Sequence, residues 1–204
     1  MAIPQIAQGP FIYADYRHWP EDQRWELIHG EAYAMSPAPS ISHQMIVGQL
    51  FRQIDEALDG KPCQALIAPL DVLLPALNEA DEQVDTIVQP DILVVCDPAK
   101  IGDSHVRGAP DWIIEVLSPR TARHDHLTKR ALYERAGVRE YWLVHPVDRV
   151  ITLYTLHDGQ YGRPEIVDMA GELAPAIFPE ILIRWQRIVE KLPDNTLPSQ
   201  PSPA

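Results

Sequence analysis

Residues 109–119 read APDWIIEVLSP. From Trp112 to Leu117 every residue is apolar except Glu115. The run is short, rich in β-branched residues and apolar on both parities, the pattern of a strand covered on both faces. Pro110 before it and Ser118-Pro119 after it are natural stops. A carboxylate inside such a strand is costly, or takes up a proton, unless it meets a partner. Glu115 therefore either points to a cleft or has a cation partner, and the partner can be one of two things. One is a structural ion pair with an arginine or lysine. The other is a metal ion with a lysine close by.

The flanking sequence predicts the elements around this strand. FIYADYRHWPEDQ reads as a short amphipathic helix ended by Pro20. WELI and EAYAM flank His29-Gly30, a turn signal, and predict a hairpin. A helix capped by Ser40 or Ser42 follows, with Val47, Leu50, Phe51, Ile54 and Leu58 on one stripe and Gly60 at its end. CQALIAPLDVLLP and TIVQPDILVVCD are two further strand candidates, and with the Glu115 strand they suggest a meander. A helix over roughly 125–136 stops at Gly137. The strands EYWLVHP and VITLYTL come next, joined by a turn at Asp148-Arg149, and a last helix is expected over 180–192. The order is that of a mixed α/β layer, read as one domain over residues 1–192. PDNTLPSQPSPA, residues 193–204, has four prolines in twelve residues and reads as a disordered tail.

Bulk composition narrows the classes. The chain has 204 residues, 46% of them hydrophobic, enough for one sizeable core. No apolar run is long enough to span a bilayer, and MAIPQIAQGP has neither a basic start nor an apolar stretch, so neither membrane insertion nor a secretory leader is expected. Cys63 and Cys96 are the only cysteines. Both lie in apolar strand-like segments and read as buried free thiols of a cytoplasmic protein. A net charge of −12 argues against indiscriminate nucleic-acid or membrane binding, but is compatible with a local basic surface beside an acidic site.

Geometry then selects partners for Glu115. Asp111 shares its strand and face, but four residues at about 3.3 Å each put it roughly 13 Å away. Carboxylates that share one hard metal ion place oxygens about 2.0–2.6 Å from it, so Asp111 is excluded. In QPDILVVCD, if 91–96 pairs antiparallel with 112–117, setting Asp91 opposite Glu115 puts the midpoint of the connection near Asp103, inside the polar loop DPAKIGDSHVRG, which makes Asp91 a candidate partner. Asp71, late in the preceding strand candidate, is a third acid in reach of a meander. For the cation, Leu132, Tyr133 and Ala136 lie three, four and seven residues after Lys129. Lys129 therefore extends the stripe that faces the sheet.

At these residues the chain resembles a known family. ELIHGE, SPAPSISHQ, QPDILVVCDP, APDWIIEVLSPRTARHD and KRALYERAGVREYWLV, in that order over roughly 13–157, resemble the Uma2 family of proposed endonucleases within the PD-(D/E)xK nuclease superfamily. The resemblance implies a restriction-endonuclease-like core, a mixed central sheet flanked by helices, with the hairpin as an N-terminal extension. It maps the two acidic metal ligands to Asp91 and Glu115. The superfamily's usual lysine position, two residues after the second acid, is Leu117 here. The family's displaced lysine maps to Lys129. Glu26, Glu31 and His43 also fall on recurrent family positions.

The implied chemistry is phosphodiester hydrolysis in DNA. Mg²⁺ or Mn²⁺ held by Asp91 and Glu115 would polarise the phosphate and lower the pKa of a bound water. Lys129 would orient or help deprotonate that water and offset charge on the phosphate. Other roles weigh against some candidates. His43 lies on a core stripe, Glu26 flanks a hairpin, Asp71 could cap a turn, and the HDH at 124–126 starts a helix in an arginine-rich segment. Six of the 17 Lys and Arg lie between 120 and 139, and Arg120, Arg123 and Arg130 could track phosphates or form a solvated helix face. A homodimer would suit double-strand cleavage. The rivals are a non-catalytic nucleic-acid-binding or assembly module of the same fold, and a metal-dependent hydrolase of a non-DNA substrate.

Overall fold

His29 and Gly30 both have positive φ, 51° and 75°. That handedness matches the twist of two antiparallel strands and joins them in a two-residue loop. Gly30 is needed for a second reason: a Cβ there would lie 2.6 Å from Pro10 Cβ. The structure, a computed structural model, describes residues 9–20, 23–35 and 39–193. The proline-rich tail expected at 193–204 lies outside the described residues apart from Pro193.

Helix α1 (Tyr13–Tyr16) precedes this hairpin of β1 (Trp25–Ile28) and β2 (Glu31–Ala34). Helix α2 (Ile41–Leu58) starts at Ser40, whose side chain accepts from His43 N, and buries Ile46, Leu50 and Ile54 at helical spacing. Strands β3 (Gln64–Ile67), β4 (Asp71–Leu73), β5 (Ile87–Val88), β6 (Ile92–Val95), β7 (His105–Arg107) and β8 (Trp112–Val116) follow. A π-helical segment, His124–Lys129, runs directly into α3 (Arg130–Ala136). Gly137, at φ 88°, ends the helix in the left-handed conformation. The chain closes with β9 (Glu140–His145), β10 (Val150–His157), β11 (Gln160–Tyr161), β12 (Glu165–Asp168), β13 (Glu172–Leu173), β14 (Ile183–Arg184) and α4 (Gln186–Val189).

The strands form two main sheets. The larger has the order β11-β10-β9-β8-β6-β3, with β12 also on β10, and the smaller has β2-β1-β5-β4-β7. In the larger sheet β3, β6 and β8 pair antiparallel, as a meander should, and β9 joins β8 in parallel after the helical crossover. One face is covered by α2 and the C-terminal segment, where Ile46, Leu50, Trp112, Ile114, Trp142 and Trp185 share one core. The other face carries α3 and the smaller sheet, with Ile113, Leu132, Tyr133, Leu143 and Val72 in a second core. Strand β8 is therefore buried along its whole length, as its two-sided apolar pattern requires. This is a mixed α/β architecture with a restriction-endonuclease-like core.

Three expectations are corrected. The segments CQALIAPLDVLLP and TIVQPDILVVCD are not single strands: each is divided between the two sheets, at Ala68-Pro69 and at Gln89-Pro90. Proline has no N–H to give a ladder, so the chain changes sheet there. Asp71 consequently starts β4 of the smaller sheet instead of running beside Asp91. Secondly, Cys63 and Cys96 are not free thiols but a disulfide. Gln64 pairs with Val95, so the residues just outside that pair face one another across the β3–β6 ladder. Thirdly, the helix expected over 180–192 is only the short α4. Ile181, Ile183 and Trp185 are buried while Leu182 and Arg184 are exposed, an alternation that belongs to extended chain.

Candidate active site

Asp91 begins where the chain crosses from the smaller sheet to the larger. The ladder pairs Ile92 with Ile114 and Leu93 with Ile113, so Asp91 stands opposite Glu115. The two acids are cross-tied. Val116 N donates to Asp91 Oδ2 at 2.8 Å, and Asp91 N donates to Glu115 Oε2 at 3.3 Å. His43, one turn into α2, places Nε2 3.1 Å from the same Asp91 Oδ2. Its Nδ1 is buried and has no hydrogen-bond partner among the described residues.

The other Glu115 oxygen faces the helix. Lys129 Nζ donates to Oε1 at 2.8 Å, and the Tyr133 hydroxyl donates to the same oxygen at 3.1 Å. Lys129 also lies 2.8 Å from Glu26 Oε1 and 3.7 Å from Asp125 Oδ1. Glu26 Oε1 in turn accepts from Gln89 N at 2.9 Å, which ties the lysine to the segment leading into Asp91. Glu26, Glu115, Asp125 and Lys129 are each only 4–5% exposed. The side chains of Asp91 and His43, at 20% and 15%, are more exposed.

Burial dominates the electrostatics. It pushes the Glu115 carboxyl up to about 8, against the pull of Lys129 and with the help of Asp91, Asp125 and Glu26. It raises the Asp125 carboxyl too. Burial alone would lower Lys129, but the surrounding Glu115, Glu26 and Asp125 carboxylates override it and hold the ammonium well above its usual range. Burial, then Glu115, also keeps the Tyr133 hydroxyl protonated. The lysine is thus a fixed positive charge and a hydrogen-bond donor.

The remaining sequence candidates divide. Asp71 accepts from Tyr16 OH and Gln89 Nε2, both at 2.8 Å, in a polar network adjoining Glu26 and away from Glu115. Glu31 is exposed and accepts from Tyr33 OH. The HDH residues do not converge. His124 stacks on Tyr33 with Nε2 3.8 Å from Glu26 Oε2, His126 packs on His145, and only Asp125 reaches Lys129. Arg120 and Arg123 are exposed just beyond β8. Arg130 is spent elsewhere, 2.7 Å from Glu134 and over the Tyr154 ring. The sequence reading weighed Asp125 only within the HDH and placed Tyr133 on the stripe of Lys129, and gave neither a role beside Glu115. Their signal was their position, four residues before and after Lys129 on the buried stripe.

Among the described residues no three of His, Cys, Asp and Glu are grouped to hold a metal ion. Two hard carboxylate oxygens suffice for Mg²⁺, which keeps several waters and takes further oxygens from a phosphate. Asp91 and Glu115, without sulfur or a second histidine, fit that ion or Mn²⁺ better than a softer metal. A groove lined by Glu140, Leu153, Arg163 and Glu165 lies at the other end of the sheet, since Glu140 pairs with Trp112 at the start of β8.

Comparisons with known proteins agree with this architecture. A crystal structure of a putative nuclease belonging to DUF820 from Anabaena variabilis superposes with a TM-score of 0.68 at 20% identity, covering 88% of this chain and 98% of that one. The two share a fold. The uncharacterized protein slr1290 of Synechocystis sp. is 31% identical over 147 residues, 71% of this chain and 73% of that protein. The model of the Uma2 family, described as "Putative restriction endonuclease", matches residues 13–186, the span that holds both sheets and every residue around Lys129, and the chain belongs to the Uma2 family.

Proposed function

We propose that this protein is a metal-dependent endonuclease that hydrolyses DNA phosphodiester bonds. One observation carries the reading: Asp91 and Glu115 face each other across β6 and β8, with Lys129 Nζ 2.8 Å from Glu115. Family membership and the fold shared with a nuclease-titled structure support it. Asp91 and Glu115 would hold Mg²⁺ or Mn²⁺, which when bound polarises the phosphate and lowers the pKa of its water.

The chain's own groups supply the rest. In hydrolysis the water oxygen bonds to phosphorus, one P–O ester bond breaks, and the water proton ends on the departing alkoxide. Lys129, held protonated, offers N–H donors to the phosphate oxygens as their charge grows, and orients water without accepting its proton. His43 holds Asp91 from the α2 side. Arg120 and Arg123, exposed beyond β8, would meet flanking phosphates.

Purified protein and supercoiled plasmid, with Mg²⁺, Mn²⁺ or EDTA, test the reading, with Asp91→Asn as the control. Metal-dependent nicking lost in the variant supports it. No nicking by folded, metal-supplied wild type overturns it. The rival is a non-catalytic nucleic-acid-binding or assembly module, favoured by the burial of Glu115 and Lys129. DNA binding without cleavage would support that reading. Cleavage of small phosphodiesters but not of DNA would support a different substrate.

A further inference from the structure

Glu115 Oε1 has two donors of different mechanical character. Lys129 reaches it at 2.8 Å on a flexible four-carbon stem. Tyr133, four residues on, reaches it at 3.1 Å with a hydroxyl on a rigid ring. That ring is fully buried and packs edge-to-face on Tyr141, with centroids 4.9 Å apart and planes at 76°. Lys129 has a second anchor in Glu26, at 2.8 Å, so it can leave Glu115 for a phosphate oxygen without losing all its contacts. Tyr133 makes no other side-chain hydrogen bond among the described residues.

From this asymmetry we infer that Tyr133 is a positioning residue: its hydroxyl holds Glu115 Oε1 toward the helix, so that Oε2 stays turned to Asp91 and the pair remains set for one divalent ion. The inference rests on the proposed metal-dependent reading and adds a residue to it. Metal-binding carboxylates need such partners, because a ligand free to rotate has to be ordered at each binding event. The lysine cannot serve this purpose alone if it also contacts substrate. A tyrosine on the same helix face, one turn further on, separates the two tasks.

The test is the calorimetric affinity of the full chain for Mn²⁺, with Tyr133→Phe against wild type. Phenylalanine keeps the ring and its packing and removes only the hydroxyl. The control is Tyr161→Phe, which removes a buried hydroxyl bonded to Val138 O at 2.8 Å, remote from the acids. The expected result is an affinity about 10–100-fold weaker in Tyr133→Phe and unchanged in Tyr161→Phe. In nicking assays the variant then requires more metal and approaches the wild-type rate at saturation. An unchanged affinity in Tyr133→Phe overturns the inference while leaving the nuclease reading intact. An equal loss in Tyr161→Phe overturns it as well, because general loosening would then explain both. Wild type that takes up no Mn²⁺ overturns the inference and the reading together. Should Tyr133→Phe fail to fold, the wild-type ring ¹³Cζ resonance of Tyr133 answers the question on titration with Mg²⁺. A shift at the metal concentration that supports nicking supports the role, and an unmoved resonance overturns it.

Discussion

Asp91 and Glu115 each hold the other's strand: Val116 N donates to Asp91 Oδ2 at 2.8 Å, and Asp91 N donates to Glu115 Oε2 at 3.3 Å. The antiparallel register that brings them face to face also spends part of each carboxylate on backbone. Asp91→Asn and Glu115→Gln keep much of this shape and remove a charged oxygen. Each variant is expected to lower nicking by about 100-fold or more. Mn²⁺ calorimetry should show the loss in binding. Wild-type affinity in both variants would remove Asp91 and Glu115 as ligands.

Among the described residues, Lys129 is the one Lys or Arg paired with Glu26, Glu115 and Asp125 in this buried cluster. Lys129→Met leaves those acids with no counter-charge, which costs about 3–5 kcal/mol when a buried pair is broken from one side. Urea melts at neutral pH should show the loss. Adding Glu26→Gln should recover part of it, since one of the carboxylates left without Lys129 then disappears. A double variant no more stable than Lys129→Met would show that the cost lies elsewhere.

Burial holds the folded Glu115 carboxyl at about 8, against an ordinary 4.5. Between those values the folded protein keeps a proton that the unfolded chain has released. Metal-free stability should therefore fall as pH rises through this window, by at most roughly 1.4 kcal/mol per pH unit. Lys129 stays charged throughout, being held above its usual range. Glu115→Gln should flatten the slope. Chemical denaturation at several pH values between about 5 and 8 measures both, and equal slopes would contradict the raised carboxyl.

Arg120 and Arg123 are exposed, while Arg130 is tied to Glu134 at 2.7 Å and lies over Tyr154. Removing a phosphate contact lowers the salt dependence of DNA binding by about one unit of slope. Arg120→Ala and Arg123→Ala are expected to do so. Arg130→Ala should leave the slope alone and cost about 1 kcal/mol of stability. Fluorescence anisotropy across a salt series, with thermal melts alongside, separates the two classes.

The Cys63–Cys96 bridge closes a segment of 33 residues at the far end of β6 from Asp91. Replacing both cysteines by serine should cost about 2–4 kcal/mol and leave nicking unchanged. Melts of the double variant beside wild type, the latter with and without reductant, check this. A variant that loses cleavage while remaining folded would show that the bridge also shapes the site.

Much of this arrangement was determined by sequence alone because it depends on local chemistry. His29-Gly30 has the residue types for two positive φ values, Ser40 can cap a helix, and Gly137 can end one. The stripe through Lys129, Leu132 and Tyr133 follows from helical spacing. A two-sided apolar strand with one carboxylate predicts a partner for it, and spacing excluded Asp111. An antiparallel pairing around a polar loop was compatible with Asp91 opposite Glu115, and the ladder of β6 on β8 set that register.

Only the tertiary structure decided the rest, because those features depend on contacts between segments far apart in the chain. Pro69 and Pro90 mark breaks, but nothing local shows that the chain changes sheet at each and carries Asp71 away from the site. The disulfide depends on the β3–β6 register, which two cysteines 33 residues apart do not reveal. Glu26 meets Lys129 from a strand more than one hundred residues earlier. The same folding turns Asp125 inward from HDH while His124 and His126 pack against different partners. A side chain's type sets what chemistry it can do, and the strands and helices brought against it set which chemistry it has partners for.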